Sequence, residues 1–267
     1  MRQVIPLLAI FLIPVLGHSG EREKFIYKTV GDTEIELYVT HSEKTDSPSP
    51  AIVWYYGSGL NKREEPNQFY EQGKILAKMG ITSVYTNIRG AVKGEAKDEA
   101  LVIRCIEDAK SAFRWVRAHA EVFNLDQERI AVGGGSSGGF LSIAIVNLPG
   151  YDAKTDDTQI PLKPSLQILF NPGLGLNNPE HLSPFKHIKK GAPPAVIFQG
   201  NADTTTPLAG AFDYQRTLDK VGTECHIFTY KDQGHGFFNY RDGSNPYYYK
   251  TVGDMIVFLE EHGYIDK

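Results

Sequence analysis

The sequence predicts an α/β protein: a mostly parallel sheet that opens with an antiparallel hairpin and carries helices on both faces. Three observations carry this. Two alternating segments, residues 24–30 and 34–40, flank Gly31-Asp32 as the arms of a hairpin do. Apolar runs without alternation, such as Ala51-Ile52-Val53-Trp54-Tyr55-Tyr56, read as strands buried on both faces. Those runs take turns with stretches of helical periodicity, the order that joins parallel strands by crossover helices.

The elements follow in order. Residues 42–50 are a polar loop rich in Pro and Ser, and residues 51–56 the first buried strand. Residues 69–79 have helical spacing and stop at Gly80, a residue suited to the left-handed turn after a helix. Residues 81–85 form the next strand. Residues 97–123 form a long helix whose apolar stripe is Leu101, Ala109, Ala112, Phe113 and Val116. A short strand at 129–132 precedes a helix at 138–147, and residues 148–164, rich in Asp, Thr and Pro, read as a local insertion. Strands at 166–170 and 195–198, a helix at 207–221 closed by Gly222, a strand at 226–230 and a terminal helix at 250–262 complete the chain.

The chain has 267 residues, 41% of them hydrophobic, with Lys plus Arg at 28 against 32 acids and a formal net charge of −4. So mild an excess gives no electrostatic reason to expect nucleic acid or an anionic membrane as partner. Arg2, the uncharged run from Val4 to Leu16 and the small residues Gly17 and Ser19 read as a signal peptide over residues 1–19. Residues 20–267 are then one domain, expected to be exported to the periplasm or secreted. The leader's apolar run is broken by Pro6 and Pro14 and falls short of a spanning helix, so no stable membrane insertion is expected after cleavage. Cys105 and Cys225 suit either one disulfide or two buried small side chains.

The most informative segment is Ile130-Ala131-Val132-Gly133-Gly134-Gly135-Ser136-Ser137-Gly138-Gly139-Phe140. It reads strand, tight glycine turn, helix. Its G-x-S-x-G pattern describes a nucleophile elbow, in which a sharp turn exposes the serine hydroxyl at the carboxyl edge of a sheet. Two registers fit, on Ser136 or on Ser137. The first is preferred because it leaves Gly138-Gly139 for close packing of helix on strand. Gly133, Gly135 and Gly138 also satisfy the dinucleotide fingerprint G-x-G-x-x-G. That fingerprint belongs in the first strand-to-helix turn with an acid ending a second strand about 20 residues later. Here several strands precede it, and Asp152, Asp156 and Asp157 fall in a loop.

A serine nucleophile needs a base and an acid that orients the base. Asp203 follows the strand at 195–198 in the turn Asn201-Ala202-Asp203-Thr204-Thr205-Thr206-Pro207, and His235 follows the strand at 226–230 in Gly234-His235-Gly236. An oxyanion also needs donors. Those expected are the backbone N–H groups of Ser58 and Gly59, in the loop Tyr56-Gly57-Ser58-Gly59, and of Ser137 after the nucleophile. None of the other seven histidines has a neighbouring Cys, Asp or Glu at metal-ligand spacing, so neither a metal nor a cofactor is expected.

These segments together resemble the α/β-hydrolase superfamily, and within it the carboxylesterase branch allied to hormone-sensitive lipases and bacterial acetyl esterases. The branch's H-G-G-G motif falls on Tyr56–Gly59 with Tyr56 for His and Ser58 for Gly, and its G-D-S-A-G-G elbow falls on Gly134–Gly139. Its D-x-x-x-P and G-H-G-F segments match Asp203–Pro207 and Gly234–Phe237. The resemblance implies the α/β-hydrolase fold and serine-dependent hydrolysis of carboxylic esters, with a small-molecule or carbohydrate ester as substrate. It lacks the branch's N-terminal cap, so the site should be open. Two other readings stand beside it: a serine peptidase resembling the prolyl-oligopeptidase catalytic domain, and a non-catalytic binding protein on the same fold. The aromatic runs Phe237-Phe238-Asn239-Tyr240 and Pro246-Tyr247-Tyr248-Tyr249 suit either a sugar or aryl site or, the preferred reading, burial against the sheet edge.

Overall fold

The computed structural model describes residues 22–174 and 179–266; the leader expected over residues 1–19 lies outside them. The elements are β1 (Glu23–Val30), β2 (Thr33–Thr40), β3 (Ser49–Tyr55), α1 (Tyr70–Met79), β4 (Thr82–Thr86), α2 (Glu99–Ala118), β5 (Leu125–Gly135), α3 (Ser137–Asn147), β6 (Gln167–Phe170), β7 (Ala195–Gly200), α4 (Leu208–Lys220), β8 (Cys225–Tyr230) and α5 (Pro246–Glu261). They build an eight-stranded sheet in the order β1-β2-β4-β3-β5-β6-β7-β8. β2 lies antiparallel to both β1 and β4, and every other neighbouring pair is parallel. This is the α/β-hydrolase fold.

The strand order positions the site. From β3 the chain steps outward to β4, then returns to the other side of β3 to place β5. The loops leaving β3 and β5 therefore start side by side and diverge, which opens a crevice at the carboxyl edge of the sheet. β6, β7 and β8 follow in order, so their exits line up along the same edge.

Period-two alternation sorts the central strands between two cores. Ala51, Val53 and Tyr55 of β3 pack with α2 and α3 on one face, and Ile52 and Trp54 pack with α1 and α5 on the other. α4 joins the first face through Ala211, Tyr214 and Leu218, which meet Leu169 and Ile197. Trp54 stacks on Phe69 at 4.5 Å between ring centroids. Such buried aromatic side chains cost about 3–5 kcal/mol when truncated to alanine.

Three elements differ from their sequence reading, each for a local reason. α2 ends at Ala118, and the apolar pattern that ran on to residue 123 continues as a turn in which His119 stacks on Trp115 at 3.9 Å. β5 begins at Leu125 and runs through Gly133, Gly134 and Gly135, which have no side chains for a periodicity to register. α5 starts at Pro246, not at residue 250. Asn245 caps it by accepting the Tyr247 N–H at 3.1 Å, and Pro246 takes the first turn, where its missing N–H costs nothing.

β1 also breaks its alternation. Its register slips between Ile26 and Lys28, so Tyr27 and Lys28 both turn inward. Tyr27 O–H donates to the Asn87 carbonyl at 2.7 Å, and Lys28 Nζ lies 2.9 Å from Asp108 Oδ1 on α2. Arg89 completes the pairing, with its Nη2 2.7 Å from the same oxygen. Cys105 and Cys225 are both buried free thiols, one in each of two separate clusters.

Candidate active site

β5 runs straight into α3 through Ser136, which takes φ 51° and ψ −119°. An L-residue occupies that conformation only when its surroundings enforce it. Here the enforcement is close packing. A Cβ on Gly138 would sit 2.0 Å from the Tyr55 carbonyl oxygen, so no side chain fits between the first turn of α3 and the end of β3. Ser136 N–H donates to the Phe170 carbonyl at 3.0 Å, and Gly173 N–H donates to the Ser136 carbonyl at 2.8 Å. The serine hydroxyl is left to project over the crevice.

His235 meets it there. Its Nε2 is 3.0 Å from Ser136 Oγ, and its Nδ1 is 2.8 Å from Asp203 Oδ2. A carboxylate only accepts, so Nδ1 carries the hydrogen and Nε2 offers its lone pair to the serine hydroxyl. Of the two serines that fit the elbow pattern, Ser136 faces the imidazole, whereas Ser137 is the first residue of α3 and is buried.

Asp203 is held from every side. Thr205 and Thr206 N–H groups donate to its Oδ1 at 2.8 and 2.9 Å, and the Thr206 hydroxyl donates to Oδ2 at 2.8 Å. Gln199 Nε2 reaches Oδ2 at 3.3 Å. Burial pushes the carboxyl's pKa up, but the Thr206 N–H, His235 and the Thr206 hydroxyl outweigh it and hold Asp203 below the ordinary carboxylate value. The group therefore stays ionised beside the imidazole.

The Ser136 hydroxyl and His235 open onto a cleft of about 610 Å³ lined also by Ser58, Gly59, Arg63, Gln68, Asn171 and Tyr240. The loop after β3 departs from expectation at one donor. Ser58 N–H does not face the cleft unpaired; it donates to Ser137 Oγ at 3.1 Å. The Ser137 hydroxyl, at the position where the resembled G-D-S-A-G-G elbow carries alanine, thus takes up this donor. Gly59 N–H has no acceptor among the described residues, and Ser137 N–H, at the start of α3, has none within its helix. Of the three backbone N–H groups expected to serve an oxyanion, that of Ser58 is thus taken up within the protein, whereas those of Gly59 and Ser137 are not, among the described residues.

The solved structures of esterase 2 from Thermogutta terrifontis share this architecture over nearly the whole chain. The form phosphorylated by paraoxon is 32% identical, covers 94% of this chain and 97% of its own, and superposes with a TM-score of 0.85. The chain belongs to the α/β-hydrolase carboxylesterases. The propionate-bound form of the same Thermogutta esterase is also 32% identical, with a TM-score of 0.83 over 92% of this chain. The family model described as BD-FAE matches residues 35–159 of this carboxylesterase. An acetylxylan esterase of Xylanibacter ruminicola is 25% identical over 224 residues, and an acylamino-acid-releasing enzyme of Arabidopsis thaliana is 24% identical over 232. The chain spans only 43% and 29% of the length of those two proteins.

Sequence reasoning missed several side chains that hold this carboxylesterase's site together. Thr206 binds Asp203 through both its N–H and its hydroxyl. Its signal was present, since a Thr three residues after an Asp and just before a helix is a capping arrangement. Asn171, directly after β6, accepts the Gly236 N–H at 3.1 Å through its side chain and so supports the histidine loop. Gln68 accepts the Gly57 N–H at 2.6 Å and donates to Asn239 Oδ1 at 3.0 Å. Neither Asn171 nor Gln68 falls in a recognisable pattern, because their partners lie far away in sequence. The aromatic runs divide: Phe237, Phe238 and Tyr248 are buried as preferred, whereas Tyr249 is exposed and Tyr240 lines the cleft.

Proposed function

We propose that this chain hydrolyses carboxylic esters of short acyl groups through an acyl-enzyme on Ser136. The observation that carries the reading is the unbroken line from Ser136 Oγ through His235 to the buried Asp203 carboxylate, with steps of 3.0 and 2.8 Å, opening onto the cleft. Ser136 Oγ attacks the ester carbonyl and its proton passes to His235 Nε2. The imidazolium formed is stabilised by Asp203 and then gives the proton to the departing alcohol. Water repeats the sequence to release the acid, with His235 again as base. Gly59 and Ser137 N–H groups receive the oxyanion, aided by the positive end of α3.

Short acyl groups accord with the propionate-bound Thermogutta esterase and with the acetylxylan esterase. The side-chain amide of Asn67 and the Tyr240 ring offer a hydrogen bond and a stacking face to a hydroxylated alcohol, so an acylated carbohydrate is the substrate class favoured. The acylamino-acid-releasing relatives favour one second reading, cleavage of N-acylated peptides by the same residues.

A fluorophosphonate probe tests the reading. It is expected to label Ser136 alone, to leave Ser136→Ala unmodified, and to do so with chelator present. A panel of acetyl sugars, aryl esters and acyl peptides then ranks kcat/KM. No labelling together with no ester turnover overturns the proposal, and faster turnover of acyl peptides replaces it with the second reading.

A further inference from the structure

We propose that Ser137 and Gln68 are positioning residues that make Gly59 the one donor the loop after β3 offers to the oxyanion. This rests on the esterase site proposed above. The loop carries four consecutive backbone N–H groups, those of Gly57, Ser58, Gly59 and Leu60. Gly57 N–H is taken by Gln68 Oε1 at 2.6 Å. Ser58 and Leu60 N–H groups both donate to Ser137 Oγ, at 3.1 and 3.2 Å. Gly59 N–H alone of these has no acceptor among the described residues.

The geometry explains how one hydroxyl can hold two loop donors. Gly59 takes φ 61°, a left-handed conformation that lets the residues on either side of it converge on a single oxygen. Ser137 has 2% of its surface exposed and does not line the cleft, so its hydroxyl acts on the loop and not on substrate. Gly57 meanwhile lies so close to the elbow that a Cβ there would be 2.9 Å from the Ser136 Cβ, which leaves the loop no other path. Gln68 extends the arrangement to the base. Its Nε2 donates to Asn239 Oδ1, and Asn239 Nδ2 donates to the Gly236 carbonyl at 2.9 Å, next to His235. One side chain thus ties the donor loop to the histidine loop.

An oxyanion donor acts only when it meets the oxygen of the tetrahedral intermediate, so a displaced donor lowers kcat while ground-state binding survives. Ser137→Ala and Gln68→Met, each retaining every backbone N–H, are expected to lose about 10- to 100-fold in kcat with KM within about twofold. Affinity for a trifluoromethyl ketone, which forms an oxyanion on the serine, should fall in parallel with kcat/KM. The midpoint of the pH–rate profile should not move, because the histidine's own partners are untouched. Ser137→Thr restores the hydroxyl and should recover most of the rate. Both variants keeping wild-type kcat, or losing rate only together with a collapse in melting temperature and with no selective loss of ketone affinity, would overturn the inference. A Ser136→Ala enzyme as active as wild type would instead overturn the underlying site, which separates the two failures.

Discussion

His235 Nδ1 lies 2.8 Å from Asp203 Oδ2, and the Asp203 side chain has no exposed surface at all. A buried carboxylate that already receives Thr205, Thr206 and Gln199 is fixed in place, so it fixes the imidazole in turn.

Replacing Asp203 with Asn tests that relationship. The amide oxygen takes the Thr205 and Thr206 N–H groups, which turns the amide nitrogen toward His235 and makes Nδ1 an acceptor. The expected result is a folded enzyme slower by as much as about 10⁴-fold, through the wrong tautomer. The same substitution has a pH signature in stability. Asp203 is held below its ordinary value in the folded state, so its contribution is complete above the unfolded carboxylate value of ~3.9 and is lost as pH falls through the lower folded value. Melting curves of wild type and Asp203→Asn should therefore differ most at neutral pH and converge in acid; a gap that widens below pH ~4 refutes the assignment.

Ser136 and His235 act as a unit. Ser136→Ala and His235→Ala should each lose about 10³-fold or more in kcat, and the double variant little beyond either one. Single-turnover kinetics on an activated ester measure this directly. Additive losses would mean that the two side chains do not share one proton transfer.

Stability away from the cleft depends on Asp108. Its carboxylate has no exposed surface, accepts from Arg89 and Lys28, and lies outside the cleft lining. Asp108→Ala strands a buried lysine and should cost about 3–5 kcal/mol in a denaturant titration. Turnover well below the transition should stay close to wild type.

Export is a separate proposal, drawn from Arg2, the apolar run and the small residues that follow. Intact mass measurement of protein recovered outside the cytoplasm should find the chain beginning near residue 18 or 20. Met1 and Arg2 still present on that material would sink the proposal.

The sequence by itself determined the order of strands and helices, the hairpin, the elbow, and the placing of Asp203 and His235 each just after a strand. Those features are local: alternation, apolar runs and glycine turns are written within about a dozen residues. The inward turn of Tyr27 and Lys28, the continuation of β5 through its glycines and the first turn of α5 were not legible, since packing, not propensity, decides them. The site divides the same way. The Ser136 and His235 segments announce themselves by their glycines, but whether Ser136 or Ser137 faces the base depends on which hydroxyl points at β8's exit. Only the tertiary structure brings Gln68 to Gly57, Asn171 to Gly236 and the Ser137 hydroxyl beneath Ser58 and Leu60. These bonds join residues 11 to 79 positions apart, and they exist because β3, β5, β6 and β8 release their loops at one edge of one sheet.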